Sequence, residues 1–273
     1  MGSFGSLGAG ARAATLVLLT ASTLSAAPKP DQIAAARRFY NERRYDQALE
    51  AAKQAAGTPA TASSARLIMG RARLERYRQA PAARELDDAR GDFRAIDAQA
   101  LDQRERIELQ IGLGQLLYLE ERFGPAAELL DPVVESSAAL APDAHERALD
   151  WWATALDRQA QSLPAAERAV QYPRIVTRME QEQRRDPASA PGSYWLAAAA
   201  RAAGDLDRAW AAASAGWIRA ALGRDKGVAL RADLDKLVTQ GIIPDRAAKV
   251  PTRDRSRATT TMTTEWENFK KLW

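Results

Sequence analysis

Apolar and small residues recur at helical spacing along most of this chain, broken at intervals by short polar or proline-containing stretches. From Asp31 to Gly57 the spacing gives two helices separated by a polar turn at Asn41 to Arg44. A helix over Thr61 to Gln79 carries Leu67, Met69, Gly70 and Leu74, and its partner runs from about Pro81 through Asp87 to Ala95. The segment from Asp97 to Arg106 lengthens the connection to the next pair, which turns at Phe123, Gly124 and Pro125. A further pair begins near Pro142 with Asp143 as N-cap and carries Ala148, Leu149, Trp151, Trp152 and Leu156. Gln161 to Ala165 reads as a loop, and a longer helix over Tyr172 to Arg185 follows a break at Pro173. Asp186, Pro187 and Pro191 precede the last pair, Tyr194 to Ala221. Leu230, Leu234 and Leu237 then fall at i, i+4 and i+7, with Gly241 placed as a helix stop.

Five small residues hold one register through these pairs: Ala36, Gly70, Gly114, Ala148 and Ala197, separated by 34, 44, 34 and 49 residues. Around Ala36 the chain reads Ala36, Phe39, Tyr45, Ala48, Leu49, Ala52. Around Gly114 it reads Leu113, Gly114, Leu117, Phe123, Ala126, Leu130, and around Ala197 it reads Ala197, Ala200, Leu206, Ala209, Ala213. A second alanine stands 12 residues after the first small residue each time. These stretches resemble the tetratricopeptide repeat family over roughly residues 31 to 221, most closely at Ala36 and Gly114. Arg73 departs from the family pattern, standing where a bulky apolar residue is usual.

The resemblance implies an all-α fold, a right-handed solenoid of about five helical hairpins. The expected organisation is a signal peptide over 1–27, repeats over 28–224, a capping helix over 225–241, a disordered basic and threonine-rich linker over 242–264, and a short aromatic segment over 265–273. The leader reading rests on Arg12, the 12-residue apolar run Ala13 to Leu24, and Ser25, Ala26 and Ala27. That run is short of the roughly 20 residues that cross a bilayer as a helix. The expected location is therefore the periplasm or the exterior after cleavage. Zero cysteines exclude a disulfide framework and a lipid-modified N-terminus.

The formal charge of +4 comes from 39 basic and 35 acidic residues, a near balance that argues against a nucleic-acid partner. His145 is the single histidine, so a two-histidine metal site is impossible, and no cofactor is expected. His145 reads either as a general base or as a residue of a helical first turn. Acidic pairs at Asp87 and Asp88, Glu120 and Glu121, and Asp205 and Asp207 read as solvated helix ends or as a glycosidase-type carboxylate pair.

In the tetratricopeptide family the first helix of each pair lines a concave groove. The resemblance therefore implies a partner-binding groove of Arg37, Tyr40, Arg71, Gln115, Tyr118, His145, Trp152, Tyr194, Trp195 and Arg201. It implies a protein or peptide partner in the cell envelope, and a scaffold or adaptor rather than an enzyme. The Lys and Asn positions of the two-carboxylate clamp of chaperone-binding members are missing. Trp266, Phe269 and Trp273 fall on one side of a terminal helix, beside Lys270 and Lys271. That segment can dock in a partner's groove, fold into the chain's own groove, rest on a membrane surface or pack on the last repeat. An envelope hydrolase and a peripheral membrane protein are the competing functions.

Overall fold

The structure is a computed structural model that describes residues 31–137, 142–223 and 225–273. The expected leader lies outside them. The described residues are helical without strands. Five antiparallel pairs follow one another: α1 (Gln32–Asn41) with α2 (Tyr45–Ala56), α3 (Ala62–Gln79) with α4 (Ala83–Arg94), α5 (Gln103–Leu119) with α6 (Phe123–Ser136), α7 (Pro142–Ser162) with α8 (Ala165–Arg185), and α9 (Ala190–Ala202) with α10 (Leu206–Arg219). Each first helix also packs on the first helix of the next pair.

The register residues are the close-approach points. Ala36, Ala148 and Ala197 are fully buried. At Gly114 a β-carbon would sit 2.5 Å from Leu130 Cγ, and at Gly70 it would sit 2.5 Å from the Phe93 ring. The second alanines Ala48, Ala126 and Ala209 are also fully buried.

The turn after the register residue recurs too. Arg43, Glu121 and Gly204 take left-handed backbone at φ 60°, 59° and 83°. Each lies seven residues after its register residue (43 − 36, 121 − 114, 204 − 197). In each, two amides bond back in the paired pattern of a helix-ending Schellman turn: Arg43 and Arg44 to the Tyr40 and Phe39 carbonyls, Glu121 and Arg122 to Tyr118 and Leu117, Gly204 and Asp205 to Arg201 and Ala200. The turn expected at Phe123 to Pro125 therefore lies at Glu120 to Arg122, and α6 opens at Phe123.

Elsewhere the first helix runs longer. α3 continues past Arg73 because its guanidinium meets Asp92 at 2.8 Å and Asp88 at 2.9 Å on α4, an ionic substitute for apolar packing. α7 extends to Ser162, and Asp143, expected to cap it, lies within its first turn. α8 passes through Pro173 without the expected break, held by burial of Tyr172, Ile175, Val176 and Met179.

The chain after residue 225 corrects the sequence reading most. α11 (Val228–Leu237) does not stop at Gly241 but continues through a π-helical stretch, Val238–Ile242, into α12 (Ile243–Ala248). The wider turn just ahead of Pro244 accommodates a residue with no amide hydrogen to donate. The Arg201 guanidinium packs over Gly241, 2.8 Å from where a β-carbon would be. The stretch read as a disordered linker contains α12, a short 3-10 turn at Thr252–Asp254 and most of α13 (Arg255–Leu272). Its order comes from Met262, Trp266 and Phe269, which pack into the last apolar cluster with Leu234, Val238 and Ile242.

Candidate functional site

The first helices of four successive pairs line one cleft of about 260 Å³. Helical spacing selects one stripe from each: Arg37 and Tyr40 on α1, Ile68, Arg71 and Glu75 on α3, Glu108, Ile111 and Gln115 on α5, Arg147 and Trp151 on α7. The mouth of α5 is fixed by a capping box, in which Glu105 N–H donates to Asp102 Oδ1 at 2.8 Å and Asp102 N–H donates to Glu105 Oε2 at 3.2 Å.

Charge alternates across this surface. Arg37 pairs with Glu105, and Arg71 pairs with Glu108, which also accepts from Arg104 Nε at 3.2 Å. The Arg71 guanidinium stands 4.5 Å from the centre of the Tyr40 ring. Burial works against its charge, but Tyr40, Glu108 and Glu75 outweigh burial and its pKa rises. Glu75 accepts from Gln115 at 3.3 Å and from Arg78 at 2.9 Å, and Arg78 lies 5.3 Å from the centre of the Trp151 ring. The cleft thus offers guanidinium donors, carboxylate acceptors and two ring faces around Ile68 and Ile111. Among the described residues no group of three or more His, Cys, Asp or Glu is placed to hold a metal ion.

The expected groove residues divide into three groups. Arg37, Tyr40, Arg71 and Gln115 share the cleft, and Tyr118 braces it from behind, edge-on to Trp151 at 4.6 Å. Tyr194, Trp195 and Arg201 line a separate cleft of about 410 Å³ together with Asp157, Tyr172 and Asp245. There Trp195 Nε1 donates to Asp150 at 2.8 Å, Tyr172 Oη to Asp157 at 3.1 Å and Arg201 to Asp245 at 2.7 Å. Burial pushes the Asp150 and Asp157 carboxyls up, because indole, phenol and amide donors only partly offset it. Tyr172 is pushed up to about 12 by burial and by the Asp157 charge.

His145 and Trp152 are corrected: both belong to the core, at 4% and 1% exposure. α7 presents Ala144, Arg147 and Trp151 to the cleft, turned by about one residue from the expected face. His145 lies between Ser137 Oγ at 2.9 Å and Glu182 Oε2 at 2.9 Å. Ser, His and a carboxylate in line invite a hydrolase reading, but Ser137 is fully buried and donates to the Val134 carbonyl at 2.9 Å. Five of the six carboxylates in the acidic pairs are spent on structure as well. Asp87 and Glu120 hold Arg90, Asp88 holds Arg73, Asp205 caps α10 and Asp207 holds Arg246.

The terminal aromatic segment is packed in cis. Trp266 is fully buried, 5.9 and 5.5 Å from the ring centres of Trp210 and Trp217 and stacked on Phe269 at 5.5 Å. Its indole and the Lys270 ammonium both donate to Asp235 Oδ1 at 2.7 Å. Only Trp273 of the three aromatics stays exposed.

Glu75, Glu105, Glu108, Ile111, Arg147 and Trp151 are cleft residues the sequence reading missed. Two of the six stand one helical turn from a named residue, Glu75 from Arg71 and Ile111 from Gln115, and extending those positions by four would have found them; Glu105, Glu108, Arg147 and Trp151 do not. No family model, no curated protein and no solved structure matches this chain.

Proposed function

We propose that the protein is a non-catalytic scaffold or adaptor, a right-handed α-solenoid similar to tetratricopeptide arrays that holds an extended protein segment in its concave groove. The observation that carries the reading is the shared cleft of α1, α3, α5 and α7, where Arg37, Arg71 and Arg147 stand with Tyr40 and Trp151. Arginine with aromatic rings is the composition of binding hot spots, and guanidinium forks and carboxylates suit the charged side chains of a peptide. Three identical turns seven residues after the register positions support the repeat reading. The leader-like residues 12–27 support a partner in the cell envelope.

The test is affinity capture from envelope extract with the full chain and with a Tyr40→Ala, Arg71→Ala variant. The reading expects one protein captured by the parent and lost by the variant, with helical content unchanged. Capture of the same proteins by both, or of none, refutes it.

A further inference from the structure

Six large apolar side chains are exposed among the described residues, and five of them lie at one end of the fold: Ile218, Leu222, Val228, Leu272 and Trp273. Leu222, Val228, Leu272 and Trp273 are each more than 60% exposed. Three chain segments bring them together. Arg231 donates through Nε to the Trp217 carbonyl and through Nη2 to the Trp273 carbonyl, both at 3.2 Å, tying α10 and α11 to the end of α13. Gly227 is pressed against Ala220, where a β-carbon would meet the carbonyl oxygen at 2.3 Å, so Val228 starts α11 beside the Ala220–Leu222 turn. Lys226, at φ 56°, closes that loop and stands exposed.

The charges here differ from those of the rest of the surface. Across the first four pairs, arginines are mostly matched to carboxylates. At this end Lys226 and Lys271 are exposed and have no carboxylate partner among the described residues, and Arg231 bonds to carbonyls. The nearby acids are engaged: Asp225 accepts from the Gly227 and Ala229 amides, and Asp235 and Glu267 hold Lys270. An apolar end with unmatched cations is complementary to a surface that offers hydrocarbon beneath anionic phosphodiesters.

We propose that this end of the protein rests on an anionic lipid bilayer, with Leu222, Val228, Leu272 and Trp273 entering the interface and Lys226 and Lys271 facing the phosphates. A second copy of the chain is a poorer occupant, because a two-fold contact brings the same patch from both copies and so places four of these lysines on one face. The proposal is independent of the groove reading, which concerns another face.

The experiment is co-sedimentation of the full chain with phosphatidylcholine vesicles, with and without phosphatidylglycerol. Binding should require phosphatidylglycerol and weaken with salt. Lys226→Gln with Lys271→Gln should weaken it about 30-fold, given the usual attraction of each cation near such a surface. Leu222→Glu with Val228→Glu, and separately Leu272→Glu with Trp273→Glu, should abolish it, whereas Val170→Glu on α8 should leave it unchanged. Circular dichroism checks that each variant folds. The proposal is overturned if the end variants bind as the parent does, which would assign binding to the apolar run at 13–24. It is also overturned if vesicles are not bound at all while the same variants split a dimer in gel filtration.

Discussion

Replacing Trp266 with Ala should release α13 from the body of the protein. The side chain is fully buried, and removing a buried Trp costs about 3–5 kcal/mol. Its contacts with Trp210, Trp217 and Phe269 place it in the middle of that range rather than at the bottom. Asp235 keeps Lys270 as a donor, so loss of the indole leaves no orphaned carboxylate. A cost of about 4 kcal/mol lowers protection of the α13 amides about a thousandfold. Because α13 lies on the last apolar cluster, the loss should concentrate there and spare α1 to α6. Hydrogen exchange read by mass spectrometry resolves the two regions. Trp266→Phe, which keeps a ring and loses the donor, should fall between parent and Ala. Equal protection of α13 in parent and Trp266→Ala would refute the docking, as would rapid exchange of α13 in the parent.

Two glycines of helices should respond in opposite directions. Gly70→Ala forces a methyl into the Phe93 ring and should destabilise by about 1–3 kcal/mol, whereas Gly91→Ala meets nothing within 4 Å and should stabilise by about 0.5–1 kcal/mol, both read by denaturant unfolding. The Glu182 carboxyl should shape the acid limb of stability. Burial alone would raise its pKa, but the hydrogen bond and charge of His145, with Arg185, hold it below the ordinary 4.5. A carboxyl with a depressed folded value contributes stability above its unfolded value, and that contribution disappears as pH falls through the folded value. Glu182→Gln should therefore lose stability at neutral pH and show a flatter decline below about pH 4.5 than the parent, measured by urea midpoints across pH. Arg73→Leu should restore apolar packing but strand Asp92, which is 7% exposed, costing about 1–3 kcal/mol, and Arg73→Leu with Asp92→Leu should recover most of it.

The helical pairs were legible because small residues must recur where two helices touch, and Ala36, Gly114 and Ala197 keep that spacing together with the turn that follows. The pairs at Gly70 and Ala148 were harder to read because length and ion pairing replaced the pattern. Arg73 stands where an apolar residue was expected, and its partners are 15 and 19 residues away, beyond any local rule. The order of 242–264 was hidden for a related reason. Its threonines and arginines carry no strong period, and the groups that hold α13, Trp210, Trp217 and Asp235, lie on other helices. The cleft was half legible. Arg37, Tyr40, Arg71 and Gln115 follow from the register, but α7 is rotated enough to bury His145 and Trp152 and to present Arg147 and Trp151.

Whether the face shared by α1, α3, α5 and α7 holds a protein partner can be read by photo-crosslinking from single positions. A photoreactive phenylalanine analogue would replace Tyr40 or Ile111 in the cleft and, as controls, Gln54 on α2 or Arg84 on α4, in the full chain expressed in cells. The same partner should crosslink from both cleft positions and from neither control. Crosslinks from the controls alone, or equally from all four positions, would contradict it.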